Sequence, residues 1–268
     1  YDFGARTYDP QLARWFSVDP LADHPNQIGM SPYSAMWNNP IRWNDPDGKC
    51  PTCPDEIYVP IADHVYGAQV GDVSSNGWEV MRVNVNDKTG FQGALYKGTY
   101  DGNTEYIYAT AGTQDLGKDG VQDIKQIFGA SEQYSESVGF AKQYSKNYEG
   151  VSFTGHSLGG GLASANALKV EGKAVTFNAA GISNATRKGL RLKGNSVNIS
   201  AYVVRGEAVN HYQSKIGIKT EGAITTLPAS YVPRIPRTKV DDLYRTYQRG
   251  MNHTMGVLTE KFNEYNKK

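Results

Sequence analysis

The sequence predicts an α/β fold: a mostly parallel sheet flanked by helices. Three observations carry that expectation. Residues 151–163 read as a short strand, a tight turn and the start of a helix, with Val151 and Phe153 alternating against Ser152 and Thr154 and an Ala/Leu-rich run after the turn. Upstream, Ile124, Ile127, Tyr134, Val138, Ala141, Tyr144 and Tyr148 recur at one-sided helical spacing. Downstream, Ala174–Phe177 and Val197–Val204 are short apolar runs, each ending in a turn. Strands alternating with helices imply parallel pairing, with functional groups at the carboxyl ends of the strands.

Length and charge narrow the class. The 268 residues suffice for one large domain, or for one domain with an appendage. No stretch approaches the ~18 to 20 apolar residues of a membrane-spanning helix. No basic-then-apolar leader opens the chain. The first residue is Tyr1, inside what reads as a motif, which predicts the tail of a longer polypeptide. A net charge of +1 argues against nucleic acid as the partner. The charge is uneven: residues 1–48 carry 3 basic and 6 acidic side chains, and residues 187–268 carry 15 and 6. The basic third is read either as a solvated face or as a surface for anionic lipid or an acidic partner. Cys50 and Cys53 form a lone C-x-x-C with no second pair, so a linker disulfide or free thiols are expected rather than a zinc site.

Residues 1–48 are rich in turn dipeptides: Asp9-Pro10, Asp19-Pro20, Ser31-Pro32, Asn39-Pro40 and Asp45-Pro46. Aromatics lie between them, and so short a segment is expected to need a larger surface to cover them. Tyr1-Asp2-Phe3-Gly4-Ala5-Arg6-Thr7-Tyr8-Asp9-Pro10, Gln11-Leu12-Ala13-Arg14-Trp15 and Asp45-Pro46-Asp47-Gly48 resemble the end of an Rhs repeat-associated core. That resemblance implies a β-rich shell enclosing a C-terminal toxin, cut just after an Asp-Pro-x-Gly motif. Asp45, Pro46 and Gly48 fit the motif, and Lys49 replaces the Leu that often follows. Residues 49–60, with three prolines and both cysteines, read as a linker, and residues 61–268 as the payload.

Within the payload, Trp78–Val85 and Phe91–Tyr100 flank the turn Asn86–Gly90 as a hairpin, and Tyr106–Thr110 reads as a third strand. The stretch from Gln114 is polar. Residues 121–148 are predicted helical. Prolines at 228, 233 and 236 mark an irregular loop, and residues 254–265 close the chain with an amphipathic helix.

Gly155-His156-Ser157-Leu158-Gly159 is a G-x-S-x-G motif in the context that makes it informative, between a strand and a helix. A serine on such a turn is held in a strained conformation, and the residues two before and two after it must be small. A serine hydroxyl needs a base, and that base an orienting acid. In this fold type the chain order is nucleophile, acid, histidine. After Ser157 only His211 and His253 remain, and His253, before the last helix, fits the order better. Glu207, just past a strand, is the acid candidate, with Asp241 and Asp242 as alternatives. The backbone N–H groups of Leu158 and Thr113 are candidates for an oxyanion hole.

The segment Gly155–Ala163 resembles the nucleophile elbow of class 3 lipases, members of the α/β-hydrolase fold. Ala111-Gly112-Thr113 is similar to their oxyanion segment, with Ala in place of Arg, and Arg205-Gly206-Glu207 to their acid segment, with Glu for Asp. The two resemblances together imply a secreted antibacterial effector, linked to type VI secretion. Its payload would hydrolyse phospholipid esters through Ser157, His253 and Glu207 with no cofactor or metal. The implied partners are a phospholipid membrane, a cognate immunity protein, and the preceding Rhs shell with its secretion-spike components. A non-catalytic α/β module that binds a partner, or a serine esterase, peptidase or acyltransferase with another substrate, stays open as an alternative.

Overall fold

The chain divides into two units, Tyr1–Tyr58 with Asn263–Lys268, and Val59–Phe262. The computed structural model describes residues 1–3, 5–19, 22, 31–38, 40, 45, 48, 55, 57–100, 102–112, 131–193, 196–229 and 254–266. Thr113, His253, Pro46, Cys50, Cys53, Asp241, Asp242 and the polar stretch after Thr113 lie outside these residues.

In the first unit β1 (Tyr8–Asp9) and β2 (Arg14–Trp15) pair antiparallel, with Tyr8 opposite Trp15. The pairing gathers an aromatic cluster. Phe3 and Tyr8 meet Trp15 edge-on at 5.2 and 5.6 Å, and the Arg6 guanidinium lies 4.6 Å from its ring. Trp15 is buried, whereas Phe16 and Tyr33 are exposed. The expectation that this segment cannot cover its own aromatics is therefore corrected for Trp15, because the hairpin register sets its neighbours on one face.

The second unit is built on a sheet of seven strands. They are β3 (Glu79–Asn86), β4 (Phe91–Tyr100), β5 (Asn103–Thr110), β6 (Ser152–His156), β7 (Ala174–Phe177), β8 (Ile199–Val204) and β9 (Ala223–Leu227), and they lie side by side in chain order. The first three pair antiparallel as a meander, and every pair from β5 to β9 is parallel. The helices of the described residues are α1 (Tyr58–His64), α2 (Ser131–Asn147), α3 (Leu158–Val170), α4 (Asn184–Gly189), α5 (Ala208–Lys215) and α6 (Met255–Asn266). Residues 58–60 of the proline-rich stretch form the first turn of α1, where a proline removes no intrahelical hydrogen bond. Consecutive parallel strands that step in one direction, joined by right-handed crossovers, bring their helices to one face.

That face holds the main core. Leu95, Tyr108 and Phe153 of the sheet meet Tyr134, Val138 and Ala141 of α2 and Leu162 and Leu168 of α3. Each such large side chain contributes about 1.5–3 kcal/mol by burial. Every residue of α3 from Leu158 to Leu168 is buried, and its run of Gly and Ala lets α2 and the sheet close around it. On the opposite face Phe177 and Tyr202, aligned across β7 and β8, meet Phe262 of α6 at 5.8 and 4.7 Å. There too His64 Nδ1, at the end of α1, lies 3.0 Å from the Tyr96 hydroxyl of β4. None of the described helices is long and apolar enough to cross a membrane.

Candidate active site

Ser157 sits on the turn from β6 into α3 with φ 59° and ψ −127°. That backbone region is uncommon for any residue with a Cβ and costs on the order of 1–3 kcal/mol. The turn is held from both sides. Ser157 N–H donates to the Phe177 carbonyl at 3.0 Å, and Ala180 N–H donates to the Ser157 carbonyl at 2.9 Å, so the exit of β7 clamps it. A Cβ on Gly155 would lie 2.5 Å from the Gly159 carbonyl carbon and 2.6 Å from the Thr110 oxygen. The two glycines of the motif are thus in backbone contact with each other and with the end of β5. Thr110 Oγ1 donates to the Gly159 carbonyl at 2.7 Å and ties β5 to the first turn of α3. Ser157 is 1% exposed, and its hydroxyl has no hydrogen-bond partner among the described residues.

One helix-terminal donor and one close backbone approach lie beside Ser157. Leu158 opens α3, and the first N–H groups of a helix have no intrahelical acceptor. Gly112, past the end of β5, packs so that a Cβ on it would lie 3.1 Å from Ser157 Cβ and 2.7 Å from the His156 carbonyl oxygen. The chain therefore passes directly beside the serine one residue before Thr113. A cavity of 480 Å³ adjoins this point, lined by Gly112, Leu158, Gln133 and the β3–β4 turn from Val85 to Gln92.

Glu207 follows β8 and is fully buried. It is not a surface carboxylate: it caps α5, accepting the N–H of Val209 at 2.9 Å and that of Asn210. Its carboxylate is thereby fixed in direction. His211 lies one turn into α5, with its backbone N–H on the Glu207 carbonyl at 3.1 Å. The structure thus brings Ser157, Leu158 and the approach to Thr113 together at the end of β6. It sets Glu207 beyond β8, two strands over.

In the first unit Asp45 is fully buried, and its carboxylate pairs with Arg6 at 3.1 Å. Arg6 is itself buried, pairs with Asp19 at 2.7 Å, and donates through Nε to the Gly48 carbonyl. The sequence reading missed Arg6 and Asp19, because residues in a turn-rich segment carry no spacing that announces a buried ion cluster. It also missed Tyr66, whose hydroxyl accepts the Gly112 N–H at 3.1 Å and lies 3.2 Å from His156 Nδ1. Among the described residues no group of three or more His, Cys, Asp or Glu side chains is placed to hold a metal ion.

A family model described as phospholipase-like, the Tle-like phospholipase domain, matches residues 60–247, well over half of the chain. The chain belongs to this family. Membership supports lipid-ester hydrolysis as the general chemistry of the Tle-like unit. The matched span contains Ser157 and Glu207 and ends before His253. Among curated proteins, an extracellular phospholipase A1 of Serratia liquefaciens is 37% identical over 82 residues, 30% of this chain and 24% of that protein. The toxin subunit YenC2 of Yersinia entomophaga is 41% identical over 51 residues, 19% of this chain and 5% of that one. Salivary gland surface protein 1 of Aedes aegypti is 30% identical over 119 residues, 41% of this chain and 3% of that one. The chain thus spans a quarter or less of each of these relatives. Similar solved structures include a triacylglycerol lipase from Penicillium expansum, at 16% identity and TM-score 0.47, covering 66% of this chain and 79% of that one. Another is the Rhizomucor miehei lipase propeptide complex, at 13% identity and TM-score 0.48, covering 64% and 67%.

Proposed function

We propose that the Tle-like unit is a serine phospholipase, carried behind the end of an Rhs core and delivered as an antibacterial effector. The observation that carries the reading is the strained Ser157, clamped between strand and helix with Gly155 and Gly159 packed beneath it. Ser157 Oγ attacks an ester carbonyl while His253 takes the hydroxyl proton and Glu207 orients the imidazole. The N–H groups of Leu158 and Thr113 hold the oxyanion. Collapse expels the alcohol with a proton from His253 and leaves an acyl-enzyme, which water hydrolyses to a fatty acid. No metal or cofactor takes part in this chemistry.

The placement of Glu207 supports its role. Strands β6 and β8 stand two spacings apart, about 10 Å, a gap that one imidazole with its two hydrogen bonds can bridge once the side chains converge. A carboxylate offers about four lone-pair positions, so two backbone N–H groups leave room for a histidine. Glu207→Gln keeps one of the two cap acceptors and sets its amide NH2 against the other N–H; it is expected to lower kcat by about 10²–10⁴-fold, with a small loss of Tm. Glu207→Ala is expected to lose about 1–2 kcal/mol in addition. A Gln variant with unchanged kcat would confine Glu207 to capping.

The substrate is read as a phospholipid in a membrane. The 15 basic against 6 acidic side chains of residues 187–268 suit an anionic lipid surface. The likeness to a protein named as a phospholipase A1 points to the same substrate class. A producer would then need a cognate immunity protein, expected to close the mouth beside Ser157. The test is fatty-acid release from phosphatidylglycerol-containing liposomes: wild type releases it and Ser157→Ala does not, whereas equal release by both rules the reading out.

A second reaction is favoured by Arg6. Its guanidinium lies on the Gly48 carbonyl and also holds Asp19 and Asp45. We propose that the Gly48–Lys49 peptide bond is hydrolysed there, with Arg6 polarising the carbonyl and one of the two carboxylates taking a proton from the attacking water and passing it to the departing Lys49 nitrogen. The products are a Gly48 carboxylate and a Lys49 amine. Intact mass spectrometry is expected to show a break after Gly48 in the wild-type chain and an unbroken chain in Arg6→Ala; identical cleavage in both contradicts the role of Arg6.

A further inference from the structure

We infer that Tyr66 is a positioning residue whose hydroxyl fixes Gly112, just past β5, against His156, the residue before the nucleophile. The inference rests on the serine-hydrolase reading of Ser157. Tyr66 lies in the short 3-10 turn Val65–Gly67 that follows α1, far from the elbow in sequence. Gln92 Nε2 on β4 donates to the Val65 carbonyl at 2.9 Å and holds this turn against the sheet. From there the phenol reaches two segments that nothing in the local sequence joins. One is Gly112, 46 residues on, whose N–H donates to the Tyr66 oxygen at 3.1 Å. The other is His156, 90 residues on, whose Nδ1 is 3.2 Å away.

The hydrogen-bond roles follow from the chemistry. The Gly112 N–H can only donate, so the phenol oxygen accepts there. The phenol keeps a second lone pair and its proton, so the same hydroxyl can join His156 Nδ1 in either tautomer of the imidazole. Burial, the largest cause, pushes Tyr66 up to about 12, so the hydroxyl keeps its proton at neutral pH. A phenylalanine would fill the same space and join nothing.

What the bridge fixes is the distance across the site. Gly112 precedes Thr113, and His156 precedes Ser157 and Leu158. Anchoring Gly112 and His156 to one oxygen fixes the chain past β5 against the turn that carries Ser157 and the N–H of Leu158. The packing is as tight as that role requires: a Cβ on Gly112 would lie 2.9 Å from the Tyr66 oxygen, 2.7 Å from the His156 carbonyl and 3.1 Å from Ser157 Cβ. Donors that stabilise an oxyanion work only when preorganised, and a shift of about 1 Å costs on the order of 10²-fold in rate.

The test uses the full chain with a soluble p-nitrophenyl ester and a fluorophosphonate. Tyr66→Phe is expected to lower kcat by about 10–100-fold, leave KM within about twofold, and slow fluorophosphonate inactivation by the same factor as kcat/KM. A purely structural tyrosine would lower Tm and leave those ratios alone. An unchanged kcat, or a raised KM at unchanged kcat, overturns the inference. If Tyr66→Phe shows no cooperative melt, 3,5-difluorotyrosine at position 66 keeps the shape and the hydroxyl while weakening the oxygen as an acceptor. It is then expected to lower kcat at wild-type Tm, and wild-type kcat overturns the inference. Ser157→Ala run in parallel separates the two claims. Full activity in Ser157→Ala rejects the serine reading itself, whereas an inactive Ser157→Ala beside a fully active Tyr66→Phe rejects only the role of Tyr66.

Discussion

Replacing Ser157 by glycine is expected to abolish hydrolysis and, at the same time, to stabilise the protein. The two effects have one cause. At φ 59° and ψ −127° the serine occupies the mirror image of the extended region, which glycine enters freely and a residue with a Cβ does not. The strain is worth on the order of 1–3 kcal/mol, and glycine releases most of it. Denaturant unfolding should therefore show a higher midpoint for Ser157→Gly than for the wild type, with the slope unchanged. Ser157→Ala keeps the Cβ and should lose hydrolysis without the gain. A Ser157→Gly variant less stable than Ser157→Ala would mean that the turn is not strained. The same residue would then lose its strongest mark as a nucleophile.

The opposite sign is expected at Gly159. A Cβ there would overlap the Thr110 carbonyl oxygen and lie 2.7 Å from the Ala111 carbonyl carbon. Both are backbone atoms at the end of β5, and neither can rotate aside. Thr110 Oγ1 also binds the Gly159 carbonyl, so β5 and α3 cannot part without losing that bond. Gly159→Ala is expected to cost about 3 kcal/mol or more and to remove activity with it. Gly139 on α2 is the control, since a Cβ there meets no atom within 4 Å. Gly139→Ala should stabilise by roughly 0.5–1 kcal/mol through helix propensity alone. Equal effects at the two glycines would contradict the packing assigned to the elbow.

The elbow was legible in the sequence because everything it needs is local: an alternating strand, two glycines, a serine and a helix of small residues within residues 151–170. The hairpin Trp78–Tyr100 was legible for the same reason, through its alternation and the turn ending at Gly90. Strand β9 was not read, because Ala223–Leu227 is an edge strand whose one buried residue is Leu227, which leaves no apolar–polar alternation to detect beside a proline-marked loop. Helix α5 was missed as well. Its buried positions are Val209 and Gln213, and a glutamine that holds the Gly181 N–H, Asn210 and Thr220 leaves no hydrophobic period to detect. Glu207 was legible as a carboxylate after a strand, but its burial and its cap on α5 depend on that unread helix. Tyr66 and the Arg6 cluster carry no signal in one dimension. Their contacts span tens of residues, and only the closed fold brings the partners within reach.

The central claim is that Ser157 is an activated nucleophile. A fluorophosphonate followed by peptide mass mapping tests it most directly. One adduct per chain, on the peptide carrying Gly155 to Gly159 and at Ser157 itself, is the expected result. It should be lost in Ser157→Ala and slowed in Glu207→Gln. An unlabelled wild-type chain, or an adduct on another residue that persists in Ser157→Ala, would contradict the claim.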